Sequence, residues 1–397
     1  MTERFFAPCP RGLEAGLGDE LTRLGAQFVA PVEGGVAFSG PLDLAYRTNL
    51  ESRLASRVLW QVAHGGYRNE DDVYDLVRKV RWTEHFRADR TLRVDVAATR
   101  SPLTSLEFAT LRVKDAVCDV FRDAQGTRPS VDKQRPDVRV HAYLTTREAT
   151  IYLDTSGEPL FKRGYRRETD TAPLRENLAA GIVALSGWTP GMPFLDPMCG
   201  SGTIAIEAAM IAADRAPGLA RTFGFQRLGW YDGPTWQRIR QAAHDRVRRD
   251  PDTPLLVASD REETAVRQAG RNAAEAGVGK WILAERADVL TRAAPATVGI
   301  LIANPPYGVR LEDARDLAAF YPQLGDALKQ HFTGWTALLL SGDLRLPKLI
   351  GLKPSARTPL WNGAIECRLF RFEMVAGRPR RDGHAATAAP VEGDPPR

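Results

Sequence analysis

Between residues 193 and 340, five short apolar runs alternate with segments of helical periodicity. They are Pro193 to Asp196, Leu255 to Ser259, Trp281 to Glu285, Val298 to Ala303 and Thr336 to Leu340. Runs of this kind suit buried strands, and the helix between each pair supplies the crossover that parallel strands need. The order predicts an α/β fold: a doubly wound, mostly parallel sheet with helices on both faces.

The first 155 residues read differently. From Arg4 to His64 the pattern is strand, helix, strand, strand, helix, strand, with Gly34-Gly35 turning between Gln27–Val32 and Val36–Phe38. A second small α+β unit follows, with a helix at Asp71–Val80, a strand at Thr91–Ala97 and a long helix at Leu106–Ala124. Two strands, Val138–Leu144 and Ala149–Leu153, close it. A polar, basic stretch then leads to an apolar helix running from Ala172 through Leu185, with Pro173 in its first turn. The expected division is 1–64, 65–156, 157–376, and a tail at 377–397 too poor in apolar residues to bury anything.

Composition narrows the partners. Lysine and arginine number 54 against 49 acidic residues, a net charge of +5, which permits a polyanionic partner without requiring one. Cys9, Cys118, Cys199 and Cys367 lie far apart with no CxxC pair, and the six histidines form no metal-spaced set, so no metal is expected. No run approaches the roughly 18 apolar residues of a membrane span, and a cytoplasmic protein is expected.

Three strand ends carry candidate chemistry. Asp196-Pro197-Met198-Cys199-Gly200-Ser201-Gly202-Thr203 leaves the first apolar run and enters the helix Ile204–Ala213. Gly200 and Gly202 allow a tight turn and close approach of a ligand to the helix N-terminus, where free N–H groups attract an anionic group. The loop lacks the lysine of a triphosphate-binding loop and the spacing of a dinucleotide loop. Asp260 ends the next run and can accept hydrogen bonds from ribose hydroxyls or cap the following helix; the two roles are compatible. Asp288, followed by Val289, can accept from an adenine amino group.

The most specific element is Asn304-Pro305-Pro306-Tyr307-Gly308, directly after Val298–Ala303. Two prolines remove N–H donors and fix φ, so the loop offers carbonyls and the Asn304 side-chain oxygen as acceptors in a stiff frame. An amino group suits it, and Tyr307 can stack on an extruded base.

In this order these segments resemble motifs I, II and IV of class I methyltransferases that act on amino groups. The stretches DPMCGSGTIAIEAAMIAADRAPGL, FKRGYRRETDTAPLRENLAA and WNGAIECRLFRF further resemble the THUMP-domain guanine-N2 methyltransferases of bacterial 23S rRNA, over nearly the whole chain. The resemblance implies a ferredoxin-like domain, a THUMP domain that binds RNA and a Rossmann-like methyltransferase domain. It implies that Asp196, Met198, Gly200, Ser201, Gly202, Thr203, Asp260, Asp288, Val289 and Asn304 hold S-adenosyl-L-methionine, with Pro173 and Leu174 packing nearby. Asn304, Pro305, Pro306 and Tyr307 would take the guanine. Longer members carry a second methyltransferase domain making 7-methylguanine, which has no counterpart here, so only amino methylation is inherited. A tRNA guanine-N2 enzyme and a non-catalytic ribosome-assembly protein are the alternatives.

Two basic groups are candidate RNA contacts. Lys162, Arg163, Arg166 and Arg167 interleave with Phe161 and Tyr165, the chemistry of phosphate contact and base stacking, although a solvated linker has the same composition. Arg128, Lys133, Arg135 and Arg139 can track a phosphate backbone. Cys199 reads as a packing residue rather than a nucleophile.

Overall fold

The computed structural model describes residues 2–166, 174–306 and 311–375, with backbone alone for 311–317. The N-terminal part contains β1 (Glu3–Pro8), α1 (Glu14–Arg23), β2 (Gln27–Val32), β3 (Gly35–Gly40), α2 (Leu44–Glu51) and β4 (Leu59–Gly66). It continues with α3 (Glu70–Arg78), α4 (Trp82–His85), β5 (Leu92–Ala98), α5 (Leu106–Gln125), β6 (Val138–Leu144) and β7 (Glu148–Asp154). Local chemistry sets these boundaries. Asn69 and Ser105 cap α3 and α5 by accepting from the amides of Asp72 and Phe108, and Gly126 ends α5 at φ +70°.

The two N-terminal units share one seven-stranded sheet, in the order β2-β3-β1-β4-β7-β6-β5. The join is β4, which pairs antiparallel with β7 from Leu59↔Asp154 to Gly66↔Glu148. Alternate residues, among them Phe5, Phe38, Val140, Ile151 and Leu153, point into the core, where α1 packs on β2 and β3, α3 on β4 and α5 on β5.

The second part begins with α6 (Glu176–Ser186), β8 (Phe194–Asp196), α7 (Thr203–Ala212) and α8 (Gly233–Asp245). Next come β9 (Leu256–Asp260), α9 (Glu263–Glu275), β10 (Ile282–Arg286), β11 (Gly299–Ala303) and α10 (Leu311–His331). The last elements are β12 (Trp335–Ser341), α11 (Leu346–Leu349), β13 (Ala356–Asn362) and β14 (Ile365–Glu373). The helix expected from Ala172 starts instead at Glu176, so Pro173 precedes its first turn; Pro173 itself, like the tail from 377, lies outside the described residues.

The second sheet has the order β10-β9-β8-β11-β12-β14-β13. Strands β8 to β12 are parallel; β14 runs antiparallel between β12 and β13. The terminal hairpin was not foreseen, because Ala356–Asn362 is largely polar and partly exposed. Period-two burial on both faces explains the apolar central strands. Ile300, Ile302, Leu338 and Leu340 join the core beneath α6, α7 and α9, whereas Leu301, Ala303, Ala337 and Leu339 meet Leu324, Leu328 and Phe332 of α10 and its C-terminal turn.

The long segment between Asp196 and Asp260 has a structural task. Its residues 214–253 clasp the N-terminal sheet to the second one. The Tyr46 ring of α2 lies 4.6 Å from Phe225 and stacks on Trp230 at 5.3 Å, and its hydroxyl accepts from the Asp232 amide at 2.7 Å. The Gly218 amide donates to the Leu50 carbonyl at 2.9 Å and that of Gly229 to the His85 carbonyl at 2.6 Å. From the other side, Arg53 donates to the carbonyls of Met210 and Arg215, at 3.3 and 2.9 Å, where α7 ends.

Candidate active site

In the second sheet, β8 is the point from which strand order runs outward in both directions, and the crevice beyond the C-terminal ends of β8 and β11 is where an open α/β sheet binds its ligand. The loops that carry the two strongest motifs leave from there. After β8 the chain turns through Gly200 (φ +51°) and Gly202 (φ +84°) into α7. A Cβ on Gly202 would lie 2.9 Å from the Ala269 Cβ of α9, so glycine is needed both for the conformation and for the approach of the two helices. Beside Gly200 there is open space instead. The loop is held from outside: the Gly200 amide donates to Asp260 Oδ2 at 3.0 Å, and Asn272, buried in α9, donates to the Ser201 carbonyl at 2.9 Å.

Asp260 Oδ1 also accepts from the Glu262 amide at 3.0 Å, which shapes the turn ahead of α9 but does not cap it, since no side chain caps that helix start. Asp196 is 1% exposed, and its Oδ1 has no hydrogen-bond partner. Burial, with the Asp260 carboxylate adding to it and the Met198 amide opposing, pushes the Asp196 carboxyl up to about 8. Met198 and Ser201 are half-buried, Thr203 is buried at the start of α7, and Leu174 is buried nearby. Asp288 is exposed beyond β10, with Oδ1 accepting from the Leu290 amide, and Val289 is buried behind it.

After β11, Asn304 is half-buried, Pro305 buried and Pro306 exposed. Asn304 Oδ1 is buried with no partner. The Pro306 carbonyl accepts from the Tyr321 hydroxyl of α10 at 2.8 Å, which ties the loop to a buried ring. Tyr307 lies outside the described residues. Two unpartnered acceptors, an open space at Gly200 and an uncapped helix start fit a ligand that brings its own donors and an anion. These features suit S-adenosyl-L-methionine, and Asp196, the 200–203 loop, Asp260 and Asp288 are the groups that could hold it. Burial, with Asp196 and Asp260 close by, pushes the Cys199 thiol up, which removes it as a thiolate nucleophile.

The basic segments need correction. Arg163 is 3% exposed and is used internally: its Nε lies 3.2 Å from Glu207 Oε1 in the middle of α7, and Nη2 donates to the Arg53 carbonyl. It offers nothing to a phosphate. Arg166 also turns inward, donating to Thr203 Oγ1 at 2.6 Å. The Arg139 side chain is only 10% exposed and sits between Asp95 and Glu158, at 3.8 and 3.6 Å. Lys162 is exposed but paired with Glu158. Arg128, Lys133 and Arg135 are exposed as expected, and Arg167 lies outside the described residues. Glu207 was the missed signal: a lone acid inside the apolar helix Thr203–Ala212 requires a buried cation.

The strand order, with β14 antiparallel between β12 and β13, and the glycine loop at the end of β8 define a class I methyltransferase fold. The sequence matches three domain families: an RlmL ferredoxin-like domain at 4–59, a THUMP domain at 67–154 and an RMKL-like methyltransferase domain at 163–371. The chain belongs to the RMKL-like methyltransferase family. It is 43% identical over 389 residues to a ribosomal RNA large subunit methyltransferase K/L of Syntrophotalea carbinolica, a match covering 94% of this chain and 54% of that protein. It therefore spans about half the length of such K/L relatives. A Synechocystis sp. protein, slr0064, named as a candidate RNA methyltransferase, is 39% identical over 94% of this chain and 97% of its own. The crystal structure of SMU.472, a candidate methyltransferase in complex with SAH, superposes with a TM-score of 0.84 at 30% identity, over 94% of this chain and 98% of that one. Among the described residues no helix is long and apolar enough to cross a membrane, and no His, Cys, Asp and Glu side chains group as metal ligands.

Proposed function

We propose that the protein is an S-adenosyl-L-methionine-dependent RNA methyltransferase that modifies the exocyclic N2 of a guanine in 23S rRNA, as naked RNA or in a precursor particle. The observation that carries the reading is Asn304-Pro305-Pro306 at the mouth of the crevice, with a buried, unpartnered Asn304 Oδ1. The cofactor supplies an electrophilic methyl group on a sulfonium. The protein's part is to make an aromatic amine nucleophilic, since the lone pair of a guanine amino group is delocalised into the ring. Asn304 Oδ1 and the Pro305 carbonyl accept its two N–H bonds, which favours a pyramidal nitrogen with its lone pair aimed at the methyl. The proton lost afterwards is acidic once the nitrogen is methylated, so no strong base is needed. RNA as substrate is supported by the THUMP match and by the names of the relatives. Arg128, Lys133 and Arg135, exposed in that unit, are its proposed phosphate contacts.

Mass spectrometry of nucleosides from a strain lacking the gene tests this. N2-methylguanosine is expected to fall in large-subunit rRNA and to return with the wild-type gene. Loss from tRNA alone would move the substrate, and no change in any RNA fraction would end the reading.

Asp196 yields a pH dependence. Its folded carboxyl titrates near 8, above an unfolded aspartate at about 3.9. Its stabilising contribution is therefore complete below about pH 4 and is lost as pH rises through about 8. A cationic ligand beside it reverses the preference, because the ionised form then gains a partner. S-adenosyl-L-methionine should bind Asp196→Asn with a flatter pH dependence than wild type between pH 7 and 9 in calorimetry. Parallel curves for the two proteins would place Asp196 away from the ligand's positive groups.

A further inference from the structure

The helices α1, α3 and α5 pack on one face of the N-terminal sheet, against residues such as Phe5, Val140 and Ile151. Strand alternation sends the other set of side chains to the opposite face. There the register places Tyr152, His141 and Asp95 side by side across β7, β6 and β5, with Thr150, Tyr143 and Ala97 in the next row. Phe6 of β1 joins them from the ferredoxin-like unit, its ring 6.2 Å from that of Tyr152. The β2–β3 turn at Glu33 and Gly34 lines the same space, so the twisted sheet encloses a groove of about 540 Å³ that neither unit forms alone. A cleft of that size holds a small planar ligand. Tyr143 is 40% exposed, and its hydroxyl donates to Thr99 Oγ1 at 2.9 Å, which holds the ring in place while leaving it open to a partner. At its β5 end the groove meets basic groups. Arg93, which shares Asp95 with Arg139, donates from Nη1 to the Lys133 carbonyl at 2.7 Å and so holds the 131–135 loop against that edge. Lys133 and Arg135 are exposed on that loop. Rings in a groove and cations at its mouth suit a partner that joins a planar group to a negative one.

We infer that this groove takes an unpaired nucleobase of the RNA, stacked on Tyr143 with Tyr152 and Phe6 alongside, while Lys133 and Arg135 hold the flanking phosphates. The inference rests on the RNA reading above and adds to its phosphate contacts a base contact that spans both N-terminal units. A ring already held in place loses little freedom when a base stacks on it. Stacking tolerates any base, because each has a π face. It does require an unpaired one, since a base inside a helix has its faces covered by its neighbours. The N-terminal sheet therefore selects a single-stranded element, a loop or a bulge, rather than a sequence.

A single-stranded RNA oligonucleotide carrying 2-aminopurine, whose fluorescence falls when its ring stacks, tests this on the full chain. Wild type should quench the probe. Tyr143→Ala should restore the fluorescence and bind about 5- to 150-fold more weakly, the usual loss for one stacked base. Tyr143→Phe keeps the ring and should stay within about 3-fold of wild type. The slope of log affinity against log salt should be unchanged in Tyr143→Ala, whereas Lys133→Ala should flatten it by roughly 0.7, the share of one phosphate contact on a single strand. Wild-type affinity in Tyr143→Ala, equal losses in Tyr143→Ala and Tyr143→Phe, or binding by wild type without quenching overturns the proposal and leaves the RNA reading standing. A wild-type protein that binds no RNA ends both.

Discussion

Asn304→Ala is expected to slow single-turnover methyl transfer by about 10²- to 10³-fold, the range seen when one preorganised hydrogen-bonding group is removed from a reacting centre. The size follows from the group's setting. Asn304 follows a central strand that is buried on both faces, its oxygen has no competing partner, and the loop beyond it is anchored by Tyr321 on the Pro306 carbonyl. An acceptor this constrained is aligned before the base arrives, so its loss falls on the chemical step more than on binding. S-adenosylhomocysteine affinity should stay within a few-fold. A rate within about 3-fold of wild type would remove Asn304 from the transfer.

Glu207→Ala should cost about 3–5 kcal/mol of stability, because it strands a buried cation. The side chains of Arg163 and Glu207 are 2% and 0% exposed, and the pair makes two contacts, at 3.2 and 3.4 Å. Arg53 is half-buried beside them, so the charge left behind would face another guanidinium. Denaturant unfolding measures the loss, and replacing both partners by apolar residues of similar volume should recover most of it. A cost below about 1 kcal/mol would show that water reaches Arg163 once Glu207 is gone.

Element order was legible because periodicity reports it directly. The strands at β8 to β12 and the α+β pattern of the first 155 residues follow from local runs. The single N-terminal sheet was not legible: β4 and β7 lie far apart in sequence, and neither run says which edge it will join. The candidate site divides in the same way. Asp196, the glycine loop, Asp260 and Asn304 sit at strand ends, where a chemical pattern and a topological position coincide. Arg163 and Arg166 were assigned to RNA because interleaved charge and aromatic residues look alike whether solvated or buried. Only a lone acid such as Glu207, inside an apolar helix, records in sequence that a cation must come inward. The clasp at 214–253 is rich in tryptophan and arginine, a composition that names no surface for it to join.

The β4–β7 join also bears on how the chain is made. Emerging from the ribosome, β1 to β4 can pair among themselves, but β4 then presents an open edge until Asp154 has been synthesised. At ordinary elongation speeds of about 5–20 residues per second this interval lasts roughly 4 to 18 s. For that time the nascent chain carries an unpaired strand edge of the kind that recruits foreign strands. Codons that slow translation between residues 66 and 154 should therefore lower the yield of native protein more than the same codons placed after 154.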